Sequence, residues 1–378
     1  MQVTLLIYMA SDNDLARYAE QDLERIIESS YSSDMRVIVQ YKQSFVNNPA
    51  LRVVIKNGEL VDEEDLGQIN MANPKVLNSF IEASAKTYPT DKFIVILWSH
   101  GSGIDDRDIY DKEKKRKLYF VPEKEIEEIA FGFDDSYQDF LDNLELQKAL
   151  DVSVTIDVLG FDACFMGMFE IIYQLKNQAE VVVASQYLEP ALGWDYSRIL
   201  EELNQSGTSI DIGKQLISFH DEYHDAKERA EVTQSALDTS MIEKASIKLD
   251  KFSKLLRAEL KKNDTVKNKK ELRITLENCQ FFGRTDYVDL IDFVDKVKSR
   301  LKFEVLEPHA DELLDSLKEL IIANHSIGYF MDDANGISVY FPYEPRPCEE
   351  TFLMYEKLDF SLEYPNWIRL LKWYWLKN

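Results

Sequence analysis

The chain has 378 residues, enough for two or three domains of roughly 150 residues each or for one large domain with appendages. Its 44 basic and 68 acidic side chains leave a net charge of −24, which argues against a nucleic-acid or anionic-membrane surface, since either needs an excess of Lys and Arg on some face. With 45% hydrophobic residues and three widely spaced cysteines, it is neither a disordered chain nor a disulfide scaffold.

The first apolar run, Val3–Met9, is short, lacks a basic leader and ends in Ser11-Asp12-Asn13-Asp14. It reads as a buried strand rather than a secretory signal, so the chain as written is expected to be cytoplasmic, or secreted if a leader has been removed. Asp12–Ser29 has helical apolar spacing, and Arg36–Tyr41 is the next buried strand. Arg52–Ile55, Asn57-Gly58 and Glu59–Val61 read as an edge hairpin. A helix over Pro74–Ala85, a strand over Phe93–Trp98, a strand over Val154–Phe161, a helix over Met166–Leu175 and a strand over Val181–Ser185 follow. The alternation predicts an α/β fold with a mainly parallel sheet covered on both faces by helices. From residue 196 to 277 the pattern turns to long amphipathic helices, with two more over Asp286–Leu301 and Asp311–Asn324. Gly336–Phe341 reads as a strand returning to the sheet before an aromatic helix, Pro365–Leu376. This divides the chain into a core over 1–200 and a mostly helical region over 201–378. No stretch approaches the roughly 20 apolar residues of a membrane span, so no membrane partner is expected.

In open parallel sheets the ligand crevice lies beyond the carboxyl ends of the strands, which makes the residues there informative. Phe93–Trp98 is followed by Ser99-His100-Gly101-Ser102-Gly103, and Val154–Phe161 by Asp162-Ala163-Cys164-Phe165-Met166-Gly167-Met168. A thiol nucleophile, a histidine to protonate the leaving amine and backbone N–H groups for an oxyanion are what amide cleavage by cysteine requires. Glycine after His100 admits close backbone approach, and a helix starting after Cys164 is expected to favour the thiolate. Taken singly, each side chain also fits a plain role in packing.

Several blocks carry a resemblance: Leu5–Leu15, Ile94–Gly103, Phe133-Asp134-Asp135-Ser136 with Leu144-Glu145-Leu146, Gly160–Glu170, Gly193-Trp194-Asp195-Tyr196 and Gly336–Pro342. They are similar to the clostripain family of cysteine peptidases, whose caspase–haemoglobinase fold is a three-layer sandwich shared with caspases, legumains, separases and gingipains. The resemblance implies a His100–Cys164 dyad, an oxyanion hole from the Gly101 and Cys164 amides, and Asp162 near the S1 pocket, with cleavage after Arg or Lys. It also implies peptide or protein substrates bearing basic residues. The strand end Ser185-Gln186-Tyr187-Leu188-Glu189-Pro190-Ala191 departs from the family pattern and is expected to wall the pocket. Ser185 and Glu189 are therefore candidate substrate contacts. Glu189 and Asp195 are candidates for a second pocket acid, and a solvated loop carboxylate is the plainer reading of both.

Ile104–Ala130 is highly charged and contains Asp111-Lys112-Glu113-Lys114-Lys115-Arg116-Lys117. It reads as an exposed loop, and family members cut themselves in this region. Lys112, Lys114, Lys115, Arg116 and Lys117 are the candidate cleavage points. His220 and His224, four residues apart, have a zinc-compatible spacing but no evident third ligand, so no metal is assigned. The acidic pairs Asp105-Asp106 and Asp134-Asp135 make calcium a possible but unrequired cofactor, as the family resemblance also implies. Cys279 and Cys348 read as packing residues, and His309 and His325 carry no role. The expectation is a monomeric cysteine endopeptidase, with a silent relative that binds basic peptides as the rival reading.

Overall fold

The computed structural model describes residues 2–29, 31, 34–42, 48–104, 131–203, 205–225, 231–283, 286–342 and 349–375. The candidate processing segment 111–117, the pair Asp105-Asp106 and Cys348 lie outside the described residues.

The strands are β1 (Val3–Met9), β2 (Met35–Lys42), β3 (Ala50–Lys56), β4 (Glu59–Gly67), β5 (Lys92–Trp98), β6 (Phe131–Asp134), β7 (Asp139–Leu141), β8 (Ile156–Asp162), β9 (Ala179–Ala184), β10 (Val232–Asp238), β11 (Phe281–Phe282), β12 (Tyr287–Asp289), β13 (Ile321–Ile327) and β14 (Ser338–Tyr340). Nine of them form one sheet in the order β13-β10-β9-β8-β5-β1-β2-β3-β4. Its heart, β9-β8-β5-β1-β2, is parallel. The antiparallel hairpin β3–β4 closes one edge, turning at Asn57-Gly58 as expected, and β10 with β13 closes the other.

Alternation within mostly apolar strands gives the parallel heart of the sheet two buried faces. Leu5, Ile7 and Met9 of β1 point to one side, where helices 16–28, 196–202 and 209–225 cover them. Leu6 and Tyr8 point to the other, together with helices 74–87, 143–149, 169–174 and 242–260. That second apolar cluster runs without a break from Leu6 to Trp367, so the helical region beyond residue 200 shares a core with the first half.

Two features differ from the sequence reading. The strand near 336–341 forms over Ser338–Tyr340 but does not return to the main sheet; it pairs with β12 in a separate three-stranded sheet, β11-β12-β14. The strands that do extend the main sheet are β10 and β13, in segments read as helical. β10 escaped notice because its buried Thr233, Gln234 and Ser235 break the apolar run. The helix expected over Asp311–Asn324 ends at Leu320, and the β-branched pair Ile321-Ile322 opens an edge strand.

The crossover order reverses between β1 and β5, since the chain runs outward through β2 on one side and through β8 and β9 on the other. A crevice at this switch point, beyond the carboxyl ends of β1, β5 and β8, is where such a sheet binds ligands.

Candidate active site

The register of the parallel strands sets the geometry. Met9 pairs with Trp98, and Trp98 with Asp162. His100 and Cys164 therefore each stand two residues beyond the same rung of neighbouring strands, which are about 5 Å apart. The backbone stays close past the last rung, with Ser99 N donating to Asp162 O at 3.3 Å. At Gly101 a β-carbon would meet Cys164 O at 2.4 Å, so only glycine lets the two loops touch here. The structure thus brings His100, Gly101 and Cys164 to one rim. His100 is 18% exposed and Cys164 partly buried.

A third side chain comes from the turn that follows β1. Asp14 Oδ1 lies 2.7 Å from His100 Nε2, across the switch point. This partner was missed, because a two-residue dyad asks for no acid behind the histidine. The signal was present in Ser11-Asp12-Asn13-Asp14, the residues that follow the strand beside β5. The turn carrying Asp14 is firmly built. Asn13 Nδ2 donates to Ala10 O and Phe133 O at 3.1 and 3.0 Å, and Ser11 Oγ to Lys42 O at 2.6 Å. The buried Lys42 ammonium joins Asp12 at 2.6 Å and Asp134 at 3.1 Å. Burial pushes the Asp12 carboxyl up, but hydrogen bonds from Lys42 and Ser136 outweigh it and hold the group below the usual range. The Asp134-Asp135 pair consequently does not fit calcium, since Lys42 already takes the place of a cation against Asp134.

The expected helix dipole at Cys164 is not what serves the thiol. The following helix starts only at Phe169 and spans six residues. Instead Glu189 N donates to Cys164 Sγ at 3.2 Å, from the end of β9. The chain also turns sharply after the nucleophile, with Phe165 at φ +59°, a left-handed conformation that costs a bulky residue about 1–3 kcal/mol. Phe165 is held there by donating its N–H to Tyr187 O at 2.9 Å and by edge contacts with Tyr187 and Tyr287. Gly167 N donates to Ser185 O at 2.7 Å. Ser185 is buried, its hydroxyl sharing a hydrogen bond with Thr233 Oγ1 at 2.9 Å, so its backbone rather than its side chain braces the site.

Asp162 points to the sheet face under helix 196–202. Its Oδ2 accepts from Tyr196 Oη at 2.9 Å and Trp194 N at 3.2 Å. Gly193, at φ +57°, leaves the room the carboxylate needs, because a β-carbon there would lie 2.7 Å from Oδ2. Burial, reinforced by the Glu189 and Asp22 carboxylates, raises the Asp162 pKa well above the ordinary range. Asp22 is a further acid that the sequence reading passed over. It accepts from Trp98 Nε1 at 2.9 Å, pairs with Arg25, and is pushed up to about 6 chiefly by burial.

Glu189 is not a solvated loop carboxylate. Its side chain is 3% exposed and lies 2.6 Å from His220 Nε2. Asp195 caps helix 196–202 by accepting from Arg198 N at 3.3 Å. Cys279 sits apart from the rim, its Sγ 3.3 Å from Thr275 O, with burial and Asp292 raising its pKa.

The clostripain family model matches residues 7–375. Clostripain of Hathewaya histolytica is 22% identical over 444 aligned positions, covering 99% of this chain and 79% of that protein. Among solved structures, an inactive zymogen C11 protease from Parabacteroides distasonis superposes with a TM-score of 0.68 at 19% identity, covering 96% of this chain and 97% of the other. A secreted C11 cysteine protease from Bacteroides thetaiotaomicron, in complex with an irreversible peptide inhibitor, gives 0.70 at 19% identity over 98% and 99%. The chain belongs to the clostripain family and is a cysteine endopeptidase. Among the described residues no helix is long and apolar enough to cross a membrane.

Proposed function

We propose that this endopeptidase cleaves peptide bonds on the carboxyl side of Arg or Lys, using His100 and Cys164. The observation that carries the reading is the shared rung: His100 and Cys164 leave adjacent parallel strands at the same height, and Asp14 Oδ1 holds His100 Nε2 at 2.7 Å. Cys164 Sγ attacks the scissile carbonyl, forming a C–S bond while the Gly101 and Cys164 amides receive the oxyanion. His100 passes its proton to the departing amine as the C–N bond breaks. Water then attacks the acyl-enzyme, His100 takes its proton, and the C–S bond opens to release the new carboxylate. Asp14 keeps the imidazole oriented through both steps.

Asp162 supports the basic preference. A buried carboxyl with a raised pKa is costly to ionise alone, and an incoming guanidinium or ammonium supplies the missing partner. The rival reading, a silent relative, rested on the altered segment 185–191. That segment still gives the nucleophile loop three backbone contacts, from Ser185 O, Tyr187 O and Glu189 N. We further propose self-cleavage after one of Lys112, Lys114, Lys115, Arg116 or Lys117.

Fluorogenic peptides that differ only in Arg, Lys or Leu before the scissile bond test the specificity, with iodoacetamide and Cys164→Ala as controls. Thiol-sensitive turnover of the Arg and Lys peptides alone is expected; equal turnover of the Leu peptide refutes the basic preference. Mass spectrometry of the purified wild type beside Cys164→Ala should show two fragments only in the former. An intact, active wild-type chain refutes self-processing.

A further inference from the structure

Helix 209–225 places His220 and His224 on one face, one turn apart. Both are buried, and their rings lie 4.4 Å apart between centroids. The third donor that the sequence did not reveal is Glu189, delivered by the loop after β9. One ligand atom from each of Glu189, His220 and His224 lies within 4.8 Å of the others. Behind this group His220 Nδ1 meets His325 Nε2 at 2.8 Å, and His325 Nδ1 lies 3.3 Å from Asp221 Oδ1 at the surface.

We propose that Glu189, His220 and His224 form a site for a zinc-class divalent cation, with His325 and Asp221 orienting His220 from behind. Two imidazole nitrogens and one carboxylate oxygen are a zinc donor set, and a water completes a tetrahedron. A carboxylate–histidine relay behind a ligating imidazole fixes its tautomer, as metal sites commonly require.

A cation seated here takes the place of the 2.6 Å hydrogen bond between Glu189 Oε1 and His220 Nε2, and the proton of that bond leaves to solvent. Because Glu189 N–H also donates to Cys164 Sγ, seating the metal moves a group that touches the proposed nucleophile. That consequence rests on the catalytic reading, whereas the metal site does not.

The test titrates Co2+ and then Zn2+ into chelator-stripped, full-length protein. One equivalent of cobalt is expected, with the visible bands of a tetrahedral nitrogen–oxygen site, unchanged in Cys164→Ala and displaced by zinc. Glu189→Gln keeps a hydrogen bond to His220 through its amide but loses the carboxylate ligand. Its thermal midpoint in chelator should match wild type while its cobalt affinity falls about tenfold or more. If Glu189→Gln is poorly folded, His224→Gln carries the same affinity comparison. The proposal is overturned by a thiolate-to-cobalt charge-transfer band that vanishes in Cys164→Ala, which would put the metal on the nucleophile. It is equally overturned by binding no tighter than about 10 μM, or by unchanged affinity in the folded variants.

Discussion

The molecule uses histidine in two opposite settings. At the rim, His100 stands 18% exposed with one carboxylate, Asp14, that is 74% exposed. Beneath helix 209–225, His220, His224 and His325 are packed together, and burial keeps two of them neutral down to about pH 3. The cysteines differ too: Cys164 Sγ accepts the Glu189 N–H at 3.2 Å besides giving a long hydrogen bond to Glu189 O at 3.8 Å, whereas Cys279 gives its hydrogen bond to Thr275 O in a desolvated helix turn. A side chain becomes a proton carrier or a nucleophile when its charged form is reachable and partnered. The same side chain in the interior remains a neutral donor or ligand.

The comparison breaks most sharply on activity. Cys164→Ala should abolish turnover, and His100→Ala should lower kcat by about 10²–10⁴-fold, the usual worth of a placed acid–base group. Either variant retaining wild-type kcat would move the chemistry elsewhere. Asp162→Asn should cost about 10²–10³-fold in kcat/KM for an arginyl peptide, because it leaves a buried guanidinium without its counter-charge. The same variant should alter a leucyl peptide little. Since Asp162 has a raised pKa, an arginyl KM should also rise as pH falls through its titration, and Asp162→Asn should remove that dependence. A flat wild-type KM would argue that Asp162 never meets the substrate.

Much of this was legible because parallel strands write themselves plainly. Val3–Met9, Phe93–Trp98 and the run ending at Phe161 are dominated by apolar residues, and the residues just past them form the candidate site. What stayed hidden depended on tertiary proximity. β10 is buried yet polar, its Thr233 hydroxyl accepting from Gln186 N and Tyr187 N, so no apolar period marks it. Glu189 looked like any loop acid until folding carried it to His220. Asp14 and Asp22 reach the site through the strand order, which short-range pattern does not encode.

The interior histidines sharpen the comparison through acid stability. His220 and His325 protonate near pH 3 when folded and near about 6.5 when unfolded, so across that window the unfolded chain binds more protons. Their contribution to stability is present above that window and is lost as pH falls, by about 1.4 kcal/mol per unit for each group. Asp22, Asp134 and Asp289, raised to about 6, and Glu170, raised to about 7, act in the opposite sense. Comparing wild type with His325→Gln therefore isolates the imidazole. Denaturant unfolding at pH 7, 6 and 5 should show a shallower acid loss in the variant; parallel curves would mean that His325 is already solvated. At the rim, Asp14→Asn should lower kcat by about tenfold or less, since the partner is an exposed acid.

The smallest effect is the most selective. Cys279→Ala removes a thiol whose hydrogen bond stays within its own helical turn and whose ionisation burial opposes. Turnover should therefore stay within about twofold, as one ordinary neutral hydrogen bond remote from the chemistry would imply. Brief alkylation at neutral pH, read by peptide mass spectrometry, should modify Cys164 and spare Cys279 even though both are partly buried. Burial alone ranks the two thiols together, while the N–H from Glu189 separates them. Equal labelling would show that accessibility, not the hydrogen bond to sulfur, governs reactivity in this chain.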